Sequence, residues 1–336
     1  MAKLLVTGGA GYVGSHTVHH LIASGTSASN IVVLDNLERG YAKFVPLGVE
    51  LVRGDLRNEE DVSAVFRQHE IESVLHFAAY AYVGESMQEP EKYLRNNVIG
   101  GLNLLQAVRR TGCRQFVFSS TCAVYGPPRQ LPITEDFLTV PDNPYGESKR
   151  CFEDMLRWYA QLCGVRSICL RYFNAAGAGY GIGEWHEPET HLIPLVLQAA
   201  LGQRPDITIN GDDYPTRDGT CVRDYVHVAD LADAHVKALR VLERGAMSHA
   251  RLNLGTGRGS SVREVLKIAE DVSGRKIPVA LGPRRAGDPA ELYASANRAR
   301  EVLDWLPRRS LDEIIADAWQ WHCNASRLGG VQAVAG

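Results

Sequence analysis

The sequence lacks any C-x-x-C pair and any Cys/His ligand spacing among its seven cysteines, at positions 113, 122, 151, 163, 169, 221 and 323. That excludes a zinc finger or ribbon, and the odd count argues against a closed disulfide framework. No apolar run approaches membrane-spanning length, and the run in "MAKLLVTGGAGYVG" is too short for a signal h-region, so neither membrane insertion nor secretion is expected. A reducing cytoplasm is the compartment these absences fit. Positive charge is not in excess: 36 Lys and Arg against 39 Asp and Glu leave a formal net charge of -3, which gives no basic field for nucleic acid. Repeats and low-complexity tracts are also missing. What remains is ordinary globular composition, 45% hydrophobic and 22% charged over 336 residues, enough for one large core or two coupled domains.

Short β-branched runs alternate with amphipathic stretches through the first half of the chain. "KLLVTGG", "NIVVLDN", "VELVRGD", "ESVLHFAA", "RQFVFSST" and "RSICLRYFN" each adjoin a helical pattern, the rhythm of an α/β fold with a doubly wound, Rossmann-type parallel sheet. "GAGYGIGEW", residues 177–185, breaks that rhythm. After it come a helix around "THLIPLVLQAALGQ" and loops rich in Pro, Gly and Asp. The expected division is therefore 1–175 for the sheet domain and 176–330 for a smaller α/β region, interleaved because strand-like "RDYVHV" and "RLNLG" (about 223–256) can rejoin the first sheet. The tail "RLGGVQAVAG" has little to bury and is expected to fray.

After the first strand, "TGGAGYVGSH" places Gly8, Gly11 and Gly14 in a G-x-x-G-x-x-G pattern. Such glycines permit a tight turn, close approach of backbone to a pyrophosphate, and close helix–strand packing. Asp35 ends the next strand 21 residues beyond Gly14, where a carboxylate can accept from the adenosine ribose diol. It also repels a 2′-phosphate, favouring NAD over NADP; Arg39 is the one nearby residue suited to that phosphate. Asp55 in "RGDL" follows the third strand and can take an adenine amino group.

"NPYGESKR" sets Tyr145 four residues before Lys149 on one helical face. With the glycine pattern, this pair resembles the extended short-chain dehydrogenase/reductases, whose catalytic set is a Ser or Thr, a Tyr and a Lys. Thr121 in "FSSTCAVYG" lies at the matching position, 24 residues before Tyr145. "HFAAYAYVGES", "LRYFNAAGA", "ETHLIPL", "DYPTRDGTCVRDYVHVADLADAH" and "RRAGDPA" narrow the resemblance to the UDP-glucose 4-epimerase family, from near residue 3 to past 305.

The resemblance implies NAD as tightly bound cofactor, no metal, a homodimer, and interconversion of UDP-glucose and UDP-galactose through a 4-keto sugar. In it, Gly8, Gly11, Tyr12, Val13, Gly14, Asp35, Asn36, Asp55, Leu56, Phe77, Ala78, Ala79, Asn96, Tyr145, Lys149, Tyr172 and Phe173 lie against the cofactor. Thr121, Asn174, His191, Leu192, Asn210, Arg223, Arg285, Asp288 and Leu292 lie against the UDP-sugar. Tyr145 takes the 4-OH proton, with Lys149 and the nicotinamide charge lowering its pKa and Thr121 steadying its oxygen. Related dehydratases carry Asp-Glu after that Thr, and decarboxylases keep the Glu; Cys122 and Ala123 stand there, which disfavours elimination.

Three departures touch affinity rather than chemistry: Ala81 stands for a Lys, His191 for an Asn and Asn210 for an aromatic residue. Leu292 occupies the position that limits room beside the sugar C2 substituent, between a restrictive Tyr and a permissive Cys or Ser. UDP-xylose/UDP-arabinose and UDP-N-acetylhexosamine epimerases are the alternatives, with a non-catalytic NAD-binding regulator further off. The segments "YLRNNVIGGLNLLQAVRR" and "CFEDMLRWYAQLCG" resemble the helices that pair in that family as a four-helix bundle.

Overall fold

A computed structural model describes residues 3–285 and 287–332. The first half contains β1 (Lys3–Thr7), α1 (Tyr12–Ala23), β2 (Ile31–Asp35), β3 (Glu50–Arg53), α2 (Glu59–Gln68) and β4 (Ile71–His76). Next come α3 (Val83–Gln88), α4 (Pro90–Tyr93), a π-helical stretch (Leu94–Ile99), α5 (Gly100–Thr111), β5 (Gln115–Thr121), α6 (Pro144–Cys163) and β6 (Arg166–Tyr172). The chain then passes through β7 (Asn174–Ala176), β8 (Ala178–Gly179), β9 (Ile182–Gly183), α7 (Leu192–Ala200) and β10 (Ile207–Asn210). It continues with β11 (Val222–Arg223), β12 (Tyr225–His227), α8 (Val228–Glu243), β13 (His249–Leu254), β14 (Ser260–Ser261) and α9 (Val262–Ser273). The remainder is β15 (Val279–Gly282), β16 (Glu291–Leu292), α10 (Asn297–Leu303) and α11 (Leu311–Gln332).

Seven strands form one parallel sheet in the order β13-β6-β5-β4-β1-β2-β3. Alternating side chains divide each strand between two cores, as a sheet covered on both faces requires. Leu4, Val6, Ile31 and Val33 pack with Leu231, Leu239 and the fully buried Trp305 on one side; Leu5, Val32 and Leu34 pack with Leu104, Phe152 and Leu156 on the other. A third core, with Ile193, Val196, Val265, Leu266, Ile314 and Ile315, joins α7, α9 and α11 outside the sheet.

Of the two late strand segments, "RLNLG" forms β13 and extends the sheet beside β6, register Leu252↔Leu170. "RDYVHV" does not enter it. Its β12 pairs with β7, and Arg223 in β11 pairs with β14 and β16. That pairing carries the chain from the sheet edge out to the third core. The stretch that interrupts the sequence rhythm folds as the antiparallel β8–β9 pair, with Tyr180 (φ 56°) and Gly181 (φ 75°) at its turn. The tail expected to fray continues α11 to Gln332; residues 333–336 lie outside the described residues. Among the described residues, no helix is long and apolar enough to cross a membrane.

Candidate active site

The sheet reverses its direction of strand addition between β1 and β4, and the candidate residues collect at the carboxyl ends of these strands. Gly8 turns at φ 69°, and a Cβ there would lie 2.5 Å from the backbone nitrogen of Ala78. At Gly14 a Cβ would lie 2.2 Å from the carbonyl oxygen of Gly8. Only hydrogen fits at either point. Gly11 caps α1 without any side-chain bond, and the first turn holds no acidic residue, so the free N–H groups there are open to an anion. Tyr12 anchors this turn by donating from its hydroxyl to the Gly177 carbonyl at 2.6 Å, while Val13 packs into the core beneath.

Asp35 ends β2 almost buried, accepting from Ala10 N at 3.0 Å and Leu37 N at 2.9 Å; burial raises its pKa from the usual carboxylate value. Asn36 donates to Asp55 at 3.1 Å, and the Tyr80 hydroxyl donates to Glu38 at 2.6 Å. The Arg57 guanidinium clasps Asp55 at 2.6–3.1 Å and holds its carboxyl down at about 2. Arg57 was not singled out from the sequence. Arg39 turns away from this group: it donates to the Glu187 carbonyl at 2.7 Å and to Glu85 at 3.1 Å. Asp35, Glu38 and Asp55 therefore present carboxylates, which suits a ribose diol and opposes a 2′-phosphate. The glycine cradle, the open helix end and these carboxylates fit NAD.

Past β4, Phe77 N and Ala78 N both donate to the Thr7 carbonyl, at 2.9 and 3.1 Å, bringing Phe77 and Ala78 against the glycine turn, with Ala79 next in the chain. Leu56 is buried in the second core. Asn96 donates to Asn97 at 2.9 Å. The sequence reading did not reach Asn97, yet its buried amide clamps both the N–H and the carbonyl of Tyr80 and donates to Ser148 at 2.9 Å. It sits in the π-helical stretch, whose extra residue per turn re-aims side chains.

Asn143 accepts from Gly146 N at 2.8 Å and Pro144 occupies the first turn, which starts α6 just ahead of Tyr145. Tyr145 and Lys149 then point toward the end of β5. The Thr121 oxygen accepts from Ala123 N at 3.2 Å, which leaves its own hydrogen for the Tyr145 oxygen. Burial raises the Tyr145 phenol well above its ordinary value, and the Thr121 hydrogen bond is the contact that pulls it down. The lowering expected from Lys149 is not seen, its ammonium being turned to the Ser119 carbonyl. Lys149 is 3% exposed and donates to the Ser119 carbonyl at 2.7 Å, and burial lowers its own pKa to about 7, with Glu153 pulling it up. Tyr172 bonds Ser119 and is pushed up to about 12 by burial.

Glu153, a further turn along α6, is a third site residue, after Arg57 and Asn97, that the sequence does not reveal. It accepts from Ser120 Oγ at 2.6 Å and from Arg171 Nε at 2.9 Å, and Arg171 reaches Tyr125 at 2.8 Å. This buried pair bolts α6 to β5 and β6.

On the sugar side, Asn174 donates to the Asp224 carbonyl at 3.2 Å. Arg223 pairs with Asp288, and Leu292 is its neighbour on β16. Leu292 packs with Phe173, Val124 and Cys122, immediately past Thr121. With its amide turned, Asn210 accepts from Arg285 Nη2 and Nε at 3.2 Å. Leu192 opens α7 with its side chain against the third core. His191, just before it, faces Glu184 at 2.5 Å.

A seven-stranded Rossmann sheet with a glycine cradle, Asp35, and a Thr121–Tyr145–Lys149 group at one end defines a dinucleotide-binding enzyme of the short-chain dehydrogenase/reductase class. The sequence model of the NAD dependent epimerase/dehydratase family matches residues 4–255, and the chain belongs to that family. A UDP-glucose 4-epimerase of Streptomyces lividans is 51% identical over 321 residues, covering 95% of this chain and 96% of that one. The crystal structure of UDP-glucose 4-epimerase from Brucella ovis in complex with NAD is 46% identical, with a TM-score of 0.91 over 95% of this chain and 98% of that chain. A UDP-glucose-4-epimerase from Stenotrophomonas maltophila with bound NAD and formylated UDP-arabinopyranose is 38% identical, with a TM-score of 0.93 over 98% of this chain and all (100%) of that chain.

Proposed function

We propose that this chain interconverts UDP-glucose and UDP-galactose by inverting the sugar C4 with NAD held in the protein throughout. The observation that carries the reading is the Thr121–Tyr145–Lys149 group beside a glycine cradle, followed by Cys122 and Ala123 in place of an acid pair. NAD, when bound, supplies a hydride acceptor at C4 that can give the hydride back. Tyr145 removes the 4-OH proton and later returns it. Thr121 donates to the phenolate so formed, and the charge of Lys149 together with that of the nicotinamide favours that form. Arg223 and Arg285 grip the diphosphate while the 4-keto sugar turns its other face, the planar, multi-donor recognition that guanidinium provides. Neither Cys122, whose thiol burial pushes up to about 12, nor Ala123 can run an elimination.

Residues 1–175 with β13 serve the cofactor in this reading, and 176–330 serve the UDP-sugar. The chain acts as a cytoplasmic homodimer, supported by exposed Leu94, Ile99 and Leu102 beside exposed Trp158 and Leu162 on α6. The test is turnover of UDP-galactose by purified protein with no added cofactor, together with release of about one NAD per chain on denaturation. A stoichiometric demand for external NAD⁺ refutes the reading. A pentose pair is the second reading, favoured by the arabinopyranose nucleotide in the Stenotrophomonas neighbour. The rate constant kcat/KM measured for the hexose, N-acetylhexosamine and pentose pairs on one preparation ranks them.

A further inference from the structure

The loop between β9 and α7 carries Glu184, His186, Glu189 and His191 in the pattern E-x-H-x-x-E-x-H. One donor atom from each lies within 4.8 Å of all the others. We propose that these four residues bind one divalent transition-metal ion of the zinc class, through two imidazole Nδ1 atoms and two carboxylate oxygens.

Four donors about 2.0–2.2 Å from a tetrahedral ion stand roughly 3.3–3.6 Å from one another. Here His186 Nδ1 is 3.2 Å from Glu184 Oε1 and 3.8 Å from Glu189 Oε2, and His191 Nδ1 is 3.5 Å from Glu189 Oε1 and 2.5 Å from Glu184 Oε1. The His191–Glu184 separation must open and the wider ones, up to 4.8 Å, must draw in for one oxygen of each carboxylate to share the ion. The rival account, ion pairs of the two imidazoles with these carboxylates, uses the same contacts, and metal binding is what separates the two. His186 Nδ1 is buried and lies beside both carboxylates. Both carboxylates are themselves buried, at 5% and 7% side-chain exposure, so their charge must be matched by a cation, imidazolium or metal.

The donors are also held in place, as a metal site requires. Trp321 donates to the Glu184 carbonyl at 3.1 Å, and Glu189 Oε1 accepts from Thr190 N and His191 N at 2.8 and 2.9 Å. The Tyr82 ring packs edge-on against both imidazoles, and its buried hydroxyl has no hydrogen-bond partner. Mixed nitrogen and oxygen donors select zinc or its transition-series neighbours over magnesium or calcium. Four protein donors close the coordination sphere, so the ion is structural. It pins a loop whose Glu187 carbonyl holds Arg39 and whose His186 ring meets Tyr12 at the start of α1. His191, which the resemblance sets against the UDP-sugar, serves the ion instead, whichever sugar the enzyme turns over.

The experiment titrates Zn²⁺ into chelator-treated full-length protein, with metal content per chain measured after dialysis. The expected result is about one zinc per chain, a tetrahedral Co²⁺ spectrum on substitution, and binding weaker by on the order of 10- to 100-fold or more in His186→Gln and Glu189→Gln. No tight zinc in the wild type, or equal zinc in both variants, overturns the proposal. Should a variant fail to fold, the wild-type unfolding midpoint decides. It should rise with Zn²⁺ and not with Mg²⁺, and the absence of that rise also overturns the site.

Discussion

Replacing Lys149 by Met should make the cofactor-free protein more stable while removing its activity. Burial brings the lysine from its ordinary 10.5 to about 7, against the opposing pull of Glu153. At about 1.4 kcal/mol per pH unit, that gap corresponds to roughly 5 kcal/mol. Below about pH 7 the lysine is charged in both folded and unfolded chains, and the whole penalty weighs on the fold. Between about 7 and 10.5 the unfolded chain holds one proton more than the folded one. Stability therefore rises with pH across that window, and the penalty is gone above it. Methionine keeps the stem and drops the charge, but the Ser119 carbonyl loses a donor at 2.7 Å, which costs about 1–3 kcal/mol. The balance near pH 6 is a gain of roughly 2–4 kcal/mol, or on the order of 4–10 °C in unfolding midpoint. Calorimetry of cofactor-stripped wild type and variant at about pH 6 and about pH 9.5 checks this, beside turnover assays. The variant's advantage should shrink at the higher pH. A variant less stable than wild type at pH 6, or a difference that does not move with pH, refutes the argument.

Tyr145→Phe should keep fold and bound NAD while losing about 10²- to 10⁴-fold in turnover, because only the proton-accepting oxygen is removed; near-wild-type activity sinks the mechanism. Gly14→Ala places a Cβ 2.2 Å from the Gly8 carbonyl oxygen, so the turn must open. At about 1–3 kcal/mol of overpacking, weaker NAD retention and a lower unfolding midpoint should follow, and unchanged values of both would contradict the cradle. Leu292→Ser removes a branched side chain that packs beside Phe173 and Cys122. Turnover of N-acetyl sugars should rise by roughly 5- to 150-fold relative to the hexose pair, the range that about 1–3 kcal/mol of relieved crowding gives. For assembly, light scattering at micromolar concentration should report a dimeric mass, and Trp158→Glu should shift it toward monomer.

Local chemistry made much of this protein legible from the sequence. Strand rhythm, the glycine spacing and the Asp35 strand end need only neighbouring residues, because a nucleotide-binding turn is built from one strand, one turn and one helix. Tyr145 and Lys149 share a helical face by spacing alone, and Thr121 needed the resemblance to be placed beside them. Tertiary structure decided everything that joins distant segments. "RLNLG" became the seventh strand while the equally strand-like "RDYVHV" left the sheet, because β12 found its partner in β7 rather than at the sheet edge. Arg39, suited by position to a phosphate, is drawn off by Glu187 and Glu85, 148 and 46 residues away. Glu153 is an ordinary helical Glu until Arg171 and Ser120 close on it from two strands. Burial, which no spacing encodes, sets Lys149 near neutrality and Tyr145 high, since desolvation of a charge depends on every element packed around it.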